Sequence, residues 1–335
     1  MTIGKDTTIN HLFKPLNEWL EDKDITEIAI NQPNEVWIEK HDQWTSYSCD
    51  ALSFDHLNSM ATAVASFCDN NISVSQPILS ATLPKGERIQ FVIPPACSPN
   101  TVSITIRKPN IAQRTLNDYV QDGFFNHVIP TQQTMPPIDK QLLDLKDTDL
   151  SAFLKLAINA QKTIVIAGGT GSGKTTFMKM LVDLIPKAQR IITIEDVSEL
   201  FLPNTPNKVH LFYPSEATQS DPVTSAKLLK SCLRMKPDRI LLAELRGAET
   251  FDFVNIAASG HGGSITSCHA GSVALTFERL AAMMMKNPEA ISLPYEAIVK
   301  LLHQVIDIVI HIENDVHSDN PIGRHITEVW FKPNE

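Results

Sequence analysis

A nine-residue, glycine-rich segment carries the clearest chemical signal in this chain. Residues 168–176 read Gly-Gly-Thr-Gly-Ser-Gly-Lys-Thr-Thr and match the pattern G-x-x-x-x-G-K-[ST] of phosphate-binding loops. The glycines let consecutive backbone N–H groups turn toward phosphate oxygens, because no Cβ blocks their approach. The Lys174 ammonium can pair with β- and γ-phosphates, and the Thr175 hydroxyl can bind Mg²⁺. The predicted residues for binding a nucleoside triphosphate are Gly168, Gly169, Thr170, Gly171, Ser172, Gly173, Lys174, Thr175 and Thr176.

The segments on either side of this loop have the patterns of a strand and a helix. Residues 163–167 are apolar and rich in β-branched side chains, as a buried parallel strand requires. Residues 176–185 have helical apolar spacing and stop before Pro186. The loop is therefore expected between a strand and a helix N-terminus, where the helix dipole favours an anion. This context favours phosphate binding over an ordinary glycine turn.

Three further apolar runs end in polar residues that could reach the same phosphates. These runs precede Glu244, Glu195 and His269. Because the carboxyl ends of parallel strands meet at one edge of a sheet, we expect the three side chains to gather there. A glutamate such as Glu244 could activate water or contact a metal ion. Acidic residues at strand ends are also common in α/β proteins without either role, so this position alone leaves the question open.

The first 109 residues predict a smaller domain that mixes helices and strands. Helices are expected at 9–20 and 53–69, and strands at 24–30, 35–38, 44–47, 88–93 and 101–107. In the last two strands, Arg88 and Arg107 lie on the polar faces, opposite alternating apolar residues. Two such arginines could be solvated or could face an anion, and the alternation is compatible with both.

The chain changes character after residue 109. Prolines and weak periodicity between residues 128 and 138 predict a semi-rigid linker, with a short helix at 117–127 before them. From residue 140 onward, strand and helix patterns alternate, which is typical of a mainly parallel sheet covered by helices. The predicted fold class is α/β. It comprises an N-terminal α+β domain (1–109), an interdomain linker (110–139) and a P-loop domain (140–335).

Composition narrows the kinds of protein to consider. Hydrophobic residues make up 43% and charged residues 20% of the 335-residue chain, as in ordinary soluble proteins. The net charge of −9 argues against nucleic-acid binding by general electrostatics, although a local basic patch stays possible. Five scattered cysteines without a C-x-x-C pair favour reduced thiols in a cytoplasmic protein. No apolar run reaches the roughly 18 residues of a membrane span, so we expect any membrane contact to be peripheral.

Four segments together carry a family resemblance. In chain order, the segments 168–176, 193–200, 234–246 and 260–270 resemble the Walker A, Asp, Walker B and His boxes of secretion ATPases. Their order and spacing are similar to those of the type II/type IV secretion superfamily, and above all to VirB-type traffic ATPases of type IV secretion systems. Ala243 departs from the glycine found in much of the superfamily, but alanine is also small. The resemblance implies a RecA-like second domain that hydrolyses ATP with Mg²⁺.

The resemblance also implies roles for single residues. The implied catalytic residues are Glu244, Glu195, His269, Arg88 and Arg107. Glu244, as the Walker B glutamate, and Glu195 would join Thr175 at the metal ion, and one of the two would orient the attacking water. His269 would sense the γ-phosphate. The two arginines would reach the phosphates from the N-terminal domain, so that the nucleotide lies between the two domains of one protomer.

Partners and location follow from the same resemblance. It implies a homohexameric ring on the cytoplasmic side of the inner membrane, peripheral to it, that works with inner-membrane secretion-channel components and coupling proteins. Direct binding of nucleic acid stays open. The alternative within the superfamily is a motor for assembly or retraction of a type IV pilus, or for type II secretion. Many type II-like motors carry a tetracysteine metal module, and the five cysteines of this chain are too scattered to form one.

Overall fold

The chain forms two β-sheets, one in each half of the sequence. The computed structural model describes residues 5–109, 114–128, 135–218, 220–319 and 321–332. The sheet in the first half has six strands and the sheet in the second half has seven. This confirms the predicted α/β class, with an α+β unit followed by a mainly parallel sheet.

The N-terminal sheet is antiparallel throughout, in the order β3-β2-β1-β6-β5-β4. Its strands are β1 (Ile25–Ile30), β2 (Glu35–Lys40), β3 (Gln43–Ser48), β4 (Ile78–Thr82), β5 (Arg88–Val92) and β6 (Ser103–Arg107). The helices are α1 (Lys5–Leu12), α2 (Asn17–Glu21) and α3 (Phe54–Phe67), with a 3₁₀ turn at Lys14–Leu16. Because Pro15 lies in that turn, the single helix predicted at 9–20 is divided in two.

Helix α3 covers the apolar face of this sheet. It begins after Ser53, whose hydroxyl accepts the backbone N–H of His56 at 3.2 Å. Its buried residues Leu57, Met60 and Val64 recur at helical spacing and pack against apolar side chains of the sheet such as Ile28. The opposite face of the sheet carries polar residues and is left for contact with the second half of the chain.

The second half contains a sheet in the order β13-β12-β7-β11-β10-β8-β9, parallel except for β13. The strands are β7 (Ile164–Gly168), β8 (Ile191–Glu195), β9 (Lys208–Phe212), β10 (Arg239–Leu242), β11 (Ile265–Cys268), β12 (Ile308–Asn314) and β13 (Arg324–Phe331). Both faces of the sheet are covered, so strands such as β7 are buried at every residue. Strand β7 lies between β11 and β12, which brings the glycine-rich loop to the middle of the sheet edge.

Eight helices complete the described part of the chain. They are α4 (Leu116–Gln121), α5 (Pro137–Thr148), α6 (Leu150–Asn159), α7 (Lys174–Asp183), α8 (Ser225–Cys232), α9 (Glu249–Ala258), α10 (Val273–Met284) and α11 (Tyr295–Val305). The predicted linker thus contains α4, capped by Thr115, and the start of α5, while 110–113 and 129–134 lie outside the described residues. Within the described ranges, no helix has the length and apolar character needed to cross a membrane.

A buried arginine joins the two sheets. Arg190 is fully buried, and its guanidinium donates to Asn31 Oδ1 at 2.8 Å and Asn207 Oδ1 at 2.6 Å. It also donates to the Met235 carbonyl at 2.9 Å and, more weakly, to Thr105 Oγ1 at 3.4 Å. Burial lowers the pKa of Arg190 to about 10, which leaves the group charged at neutral pH. The N-terminal sheet is therefore tied to the second sheet by a cation whose hydrogen bonds are made within the protein.

Further polar contacts extend this interface between the sheets. Gln90 Nε2 donates to Ser231 Oγ at 2.9 Å, and Lys236 Nζ lies 2.6 Å from Glu39 Oε1. Arg190 and Lys236 precede the first residues of β8 and β10, so the contacts lie at the amino ends of these parallel strands. The glycine-rich loop follows the carboxyl end of β7 and lies at the opposite edge of the sheet.

Candidate nucleotide site

The glycine-rich loop has the geometry of a phosphate cradle. It follows β7, and α7 begins at Lys174 directly after Gly173, whose φ of +97° lies in the region that favours glycine. Lys174 Nζ donates to the carbonyl oxygens of Gly168 at 3.0 Å and Gly169 at 2.9 Å. Burial lowers the pKa of Lys174, while the nearby carboxylate of Glu244 opposes the shift. The ammonium is thus held at the mouth of a helix N-terminus, where anions bind.

A cleft of about 330 Å³ opens in front of this loop. It is lined by Thr170, Gly171, Gly173, Lys174, Thr175, Thr176, Asp196, Val197, Glu199, Ala243, Glu244, Arg246, Ser267, His269 and Arg324. Gly169 and Ser172 line a neighbouring cleft on the other side of the loop. Gly168 lies under the loop, where an added Cβ would come within 2.3 Å of the Ile312 carbonyl oxygen. The loop residues and the predicted side chains of β10 and β11 therefore meet at one edge of the sheet.

Glu244 and His269 form a pair in this cleft. His269 Nε2 lies 3.1 Å from Glu244 Oε1. Glu244 Oε2 accepts two N–H groups of Arg246, from Nε at 3.0 Å and from Nη2 at 2.8 Å. Arg246 also pairs with Asp196, and its bonds with Glu244 raise its pKa above the ordinary value. Burial, followed by the charge of Lys174, lowers the pKa of His269. Arg246 thus anchors one oxygen of Glu244, and His269 lies beside the other.

Arg246 lies in the Walker B segment but is not among the predicted site residues. It lies two residues after Glu244, beyond the end of β10, so no strand pattern predicts its direction. Its planar guanidinium contacts two carboxylates at once, those of Glu244 and Asp196, as its several N–H groups allow. The only signal in the sequence was a positive charge next to a predicted catalytic acid.

Thr175 faces a carboxylate that sequence reasoning did not select. Its hydroxyl Oγ1 donates to Glu199 Oε2 at 3.1 Å, and Glu199 lines the cleft. A hydroxyl and a carboxylate oxygen at the entrance of a phosphate cradle are hard donors of the kind that Mg²⁺ prefers, with phosphate and water oxygens as further ligands. The residues present therefore fit Mg²⁺, which Thr175 and Glu199 would hold.

Glu195 does not line the cleft. It is fully buried, its Oε1 accepts the Thr193 hydroxyl at 2.6 Å and lies 3.2 Å from His210 Nδ1. Its Oε2 accepts the backbone N–H groups of Glu199 at 2.9 Å and Leu200 at 2.7 Å. Burial alone would raise the pKa of Glu195, but the hydrogen bonds from His210, Thr193 and the backbone lower it. Glu195 therefore lies behind the cleft, where its oxygens are engaged in fixing the loop that carries Glu199, and its predicted role at the metal ion stays a prediction.

Arg88 and Arg107 lie together, but away from the glycine-rich loop of their own chain. They are directly opposite each other on β5 and β6. Arg107 Nε lies 3.5 Å from Glu27 Oε1, and its side chain is 66% exposed. Like charges at opposite positions of an antiparallel pair repel, so this pair favours an anion nearby. Neither arginine lines the cleft, because the N-terminal sheet packs at the amino ends of the parallel strands.

The carboxyl group beside Arg107 gives a prediction for stability. Burial raises the pKa of Glu27 from 4.5 to about 7, and Arg107 only partly offsets the shift. The unfolded chain therefore releases this proton at lower pH than the folded chain, and folding loses stability as the pH rises from 4.5 toward 7. Glutamine does not titrate in this range. We therefore expect the difference in the free energy of unfolding between Glu27→Gln and wild type to shift in favour of the variant by about 2–3 kcal/mol as the pH rises from roughly 4 to 8.

Urea unfolding of both proteins at several pH values measures this difference. Glu18→Gln, at an exposed position of α2, is the matched control and should show no such trend. A constant difference between Glu27→Gln and wild type across the pH range would contradict the raised pKa.

The fold and the site together define a class of protein. A parallel sheet with a glycine-rich loop after its central strand, and acidic and histidine side chains after neighbouring strands, is the arrangement of a RecA-like P-loop nucleotide-binding protein. Residues 11–320 match the family described as type II/IV secretion system protein, and the chain belongs to this family. The predicted resemblance is thereby confirmed.

Relatives with known names cover almost the whole chain. The type IV secretion system protein VirB11 of Brucella abortus is 56% identical over 335 residues, which is 99% of this chain and 92% of the relative. A PtlH homologue from the type IV secretion system of Bordetella bronchiseptica is 42% identical and covers 98% of this chain and 96% of its own length. The crystal structure of the Brucella suis VirB11 ATPase in complex with sulphate matches with a TM-score of 0.93, at 55% identity and with 98% of both chains covered.

Proposed function

We propose that this chain is an ATPase that powers type IV secretion. One observation carries the proposal: a single cleft contains a phosphate loop with its lysine, an oxygen pair that suits Mg²⁺, and the Glu244–His269 pair. Relatives at 56% and 42% identity, matched over 92% and 96% of their own length, are type IV secretion proteins, which favours this function over a pilus or type II motor. The sulphate in the related Brucella suis structure is in keeping with an oxyanion site in this family.

The side chains divide the work of hydrolysis between them. Lys174 and the loop N–H groups bind the phosphates and stabilise charge that develops during phosphoryl transfer. Thr175 and Glu199 would hold Mg²⁺, which neutralises charge on the phosphate oxygens when bound. Glu244 Oε1, next to His269 Nε2, is placed to accept a proton from the attacking water. His269 would then hydrogen-bond the γ-phosphate or the protonated carboxyl group.

Glu195 is assigned a positioning role in this scheme. Its Oε2 holds the N–H groups of Glu199 and Leu200, so it sets the place of the carboxylate that faces Thr175. We expect Glu199→Gln to raise the Mg²⁺ concentration needed for half-maximal hydrolysis about tenfold, because it removes a charged ligand directly. Glu195→Gln should raise this Mg²⁺ concentration by a smaller factor. It should also lower the melting temperature, because the amide keeps one acceptor and buries an unmatched donor.

The experiment titrates Mg²⁺ in ATPase assays of the wild type and both variants. Glu216→Gln, on an exposed turn, is the control for loss of one carboxylate. A larger rise in the Mg²⁺ requirement for Glu195→Gln than for Glu199→Gln, at equal melting temperature, would return the metal-binding role to Glu195.

The family resemblance and the arginine pair support a ring of identical subunits, with a hexamer as the expected number. Because Arg88 and Arg107 lie opposite each other and do not line the cleft of their own chain, we infer that they contact the nucleotide of a neighbouring chain. The ring would sit on the cytoplasmic side of the inner membrane, in peripheral contact with it, and would act on channel components and coupling proteins. Nucleic acid stays a possible further partner.

Mixing two inactive variants tests where the arginines act. Arg107→Ala and Lys174→Ala should each be inactive alone. If Arg107 serves a neighbour, rings reassembled from equal amounts of both should recover activity at about one site in four, since that fraction combines an intact loop with an intact arginine. Mixtures of each variant with itself are the controls. Activity equal to the mean of the two single variants would place Arg107 at the nucleotide of its own chain.

A further inference from the structure

The last hairpin of the chain reaches the glycine-rich loop from the flank opposite Glu244. Strand β12 runs parallel to β7, with Ile312 opposite Gly168, and β13 returns antiparallel to it from Arg324. Arg324 Nε donates to the Gly171 carbonyl oxygen at 3.1 Å, and Arg324 lines the same cleft as Lys174. A side chain more than 140 positions from the loop in sequence is thus part of its wall.

The hairpin turn fixes the base of this side chain. Asp315 accepts the backbone N–H groups of Gly323 at 2.6 Å and Ile322 at 3.1 Å. Gly323 has a φ of +86°, which a residue with a Cβ rarely adopts. Asn314 Nδ2 lies 3.4 Å from the Gly171 carbonyl oxygen, the same atom that Arg324 binds. The backbone of the hairpin is therefore set to place Arg324 over the loop.

Gly173 leaves room for the arginine stem. A Cβ added at Gly173 would lie 3.1 Å from Arg324 Cδ and 3.7 Å from its Nε. The side chain therefore passes in close contact over the residue that precedes α7. With Nε bound to the loop, the guanidinium is held at the rim of the cleft.

Among the described residues, none of the other charged groups in the cleft pairs with this guanidinium. Lys174 is hydrogen-bonded to two loop carbonyls, and Arg246 is paired with Glu244 and Asp196. Within the described residues, Arg324 has no ion pair with a carboxylate, and its two terminal nitrogens have no acceptor in the protein. A fixed guanidinium whose fork is unused, beside a phosphate loop, is suited to bind a phosphate group.

We propose that Arg324 binds the nucleotide at the α-phosphate, the end of the phosphate chain next to the nucleoside. The sheet order supports this end, because β12 and β13 lie on one flank of β7 while β11 and β10, which carry His269 and Glu244, lie on the other. The groups suited to hydrolysis face the γ-phosphate, so the opposite flank faces the nucleoside end. This inference rests on the proposed function of the cleft as an ATP site, and it adds a binding residue from the end of the chain.

The proposal predicts weaker binding without slower chemistry. ADP and ATP share the α-phosphate, so Arg324→Ala should raise the Kd for ADP and the KM for ATP by a similar factor of about ten. The kcat at saturating ATP should stay within about twofold of wild type, because the contact is the same in ground and transition states. Arg324→Lys keeps the charge but loses the forked guanidinium, so its Kd for ADP and KM for ATP should lie between those of wild type and Arg324→Ala.

Calorimetric titration with ADP and steady-state ATPase assays measure these effects. Ile322→Ala is the matched control, since its side chain is 75% exposed on the same hairpin and only its backbone is bonded. Unchanged ADP binding in Arg324→Ala, or a fall in kcat with unchanged Kd, would overturn the proposal while leaving the ATP site standing. Failure of the wild-type protein itself to bind ADP would instead overturn the proposed function. If Arg324→Ala does not fold, Arg324→Lys provides the test instead. An ADP affinity equal to that of wild type in Arg324→Lys, with the same dependence of the Kd on salt concentration, would count against the proposal.

Discussion

Lys174→Ala should reduce ATP hydrolysis by at least about 100-fold, since removing one fixed donor to a developing negative charge has effects of this size. The ammonium group is held by the carbonyl oxygens of Gly168 and Gly169, so it needs little rearrangement to meet a phosphate. Alanine removes both the charge and this pre-arranged position. Affinity for ATP should fall as well, because the same contact exists in the ground state.

The measurement is steady-state phosphate release, together with circular dichroism to show that the fold persists. Lys179→Ala is a suitable control, because Lys179 lies on the same helix α7, five residues further on, and does not line the cleft. It removes the same charge from the same element and should keep wild-type turnover. Near-normal hydrolysis in Lys174→Ala would show that this loop is not the site of the reaction.

Glu244→Gln should separate binding from chemistry. The amide has nearly the same shape, so the cleft should still bind ATP, but it cannot accept a proton from water. Loss of a general base lowers turnover by about 10²–10⁴. The contact with His269 and the hydrogen bonds from Arg246 should keep the side chain in place, although a neutral amide weakens both. We therefore expect ATP to accumulate on the variant.

Single-turnover assays measure the rate of hydrolysis, and retention of labelled ATP through gel filtration measures ATP binding. Glu278→Gln, an exposed change on α10, is the control. Wild-type turnover in Glu244→Gln would transfer the proton-accepting role to Glu199, which lines the cleft and, unlike Glu244 and Asp196, forms no ion pair with Arg246 among the described residues.

The centre of the site could be read from the sequence because local patterns determine it. The glycine-rich loop must follow a strand and begin a helix, and parallel strands bring Glu244 and His269 to the same edge. Glu195 shows where this reasoning stops. Its position at the end of β8 was predicted, but the direction of a side chain at a strand end depends on what is packed around it. Here His210 and the loop N–H groups draw it away from the cleft.

Contacts between distant parts of the chain could not be predicted. Strand β4 has little apolar alternation and was not expected, because it depends on β5 for its pairing. The exposed pair of arginines was found as a pattern, but its distance from the loop depends on how the two sheets pack. Arg324 belongs to the predicted second domain and was assigned no role there, since only the hairpin geometry shows that it lies over Gly173.

The burial of Arg190 has a mechanical consequence for a motor of this kind. Pulling the two sheets of a chain apart would strip a buried guanidinium of its acceptors, and each hydrogen bond to a charged group contributes about 1.5–3 kcal/mol. In the proposed ring, the two sheets of each subunit would therefore move together as one rigid body. The movement that accompanies hydrolysis would then occur between subunits, where by the same proposal the arginines of one chain would face the nucleotide of the next.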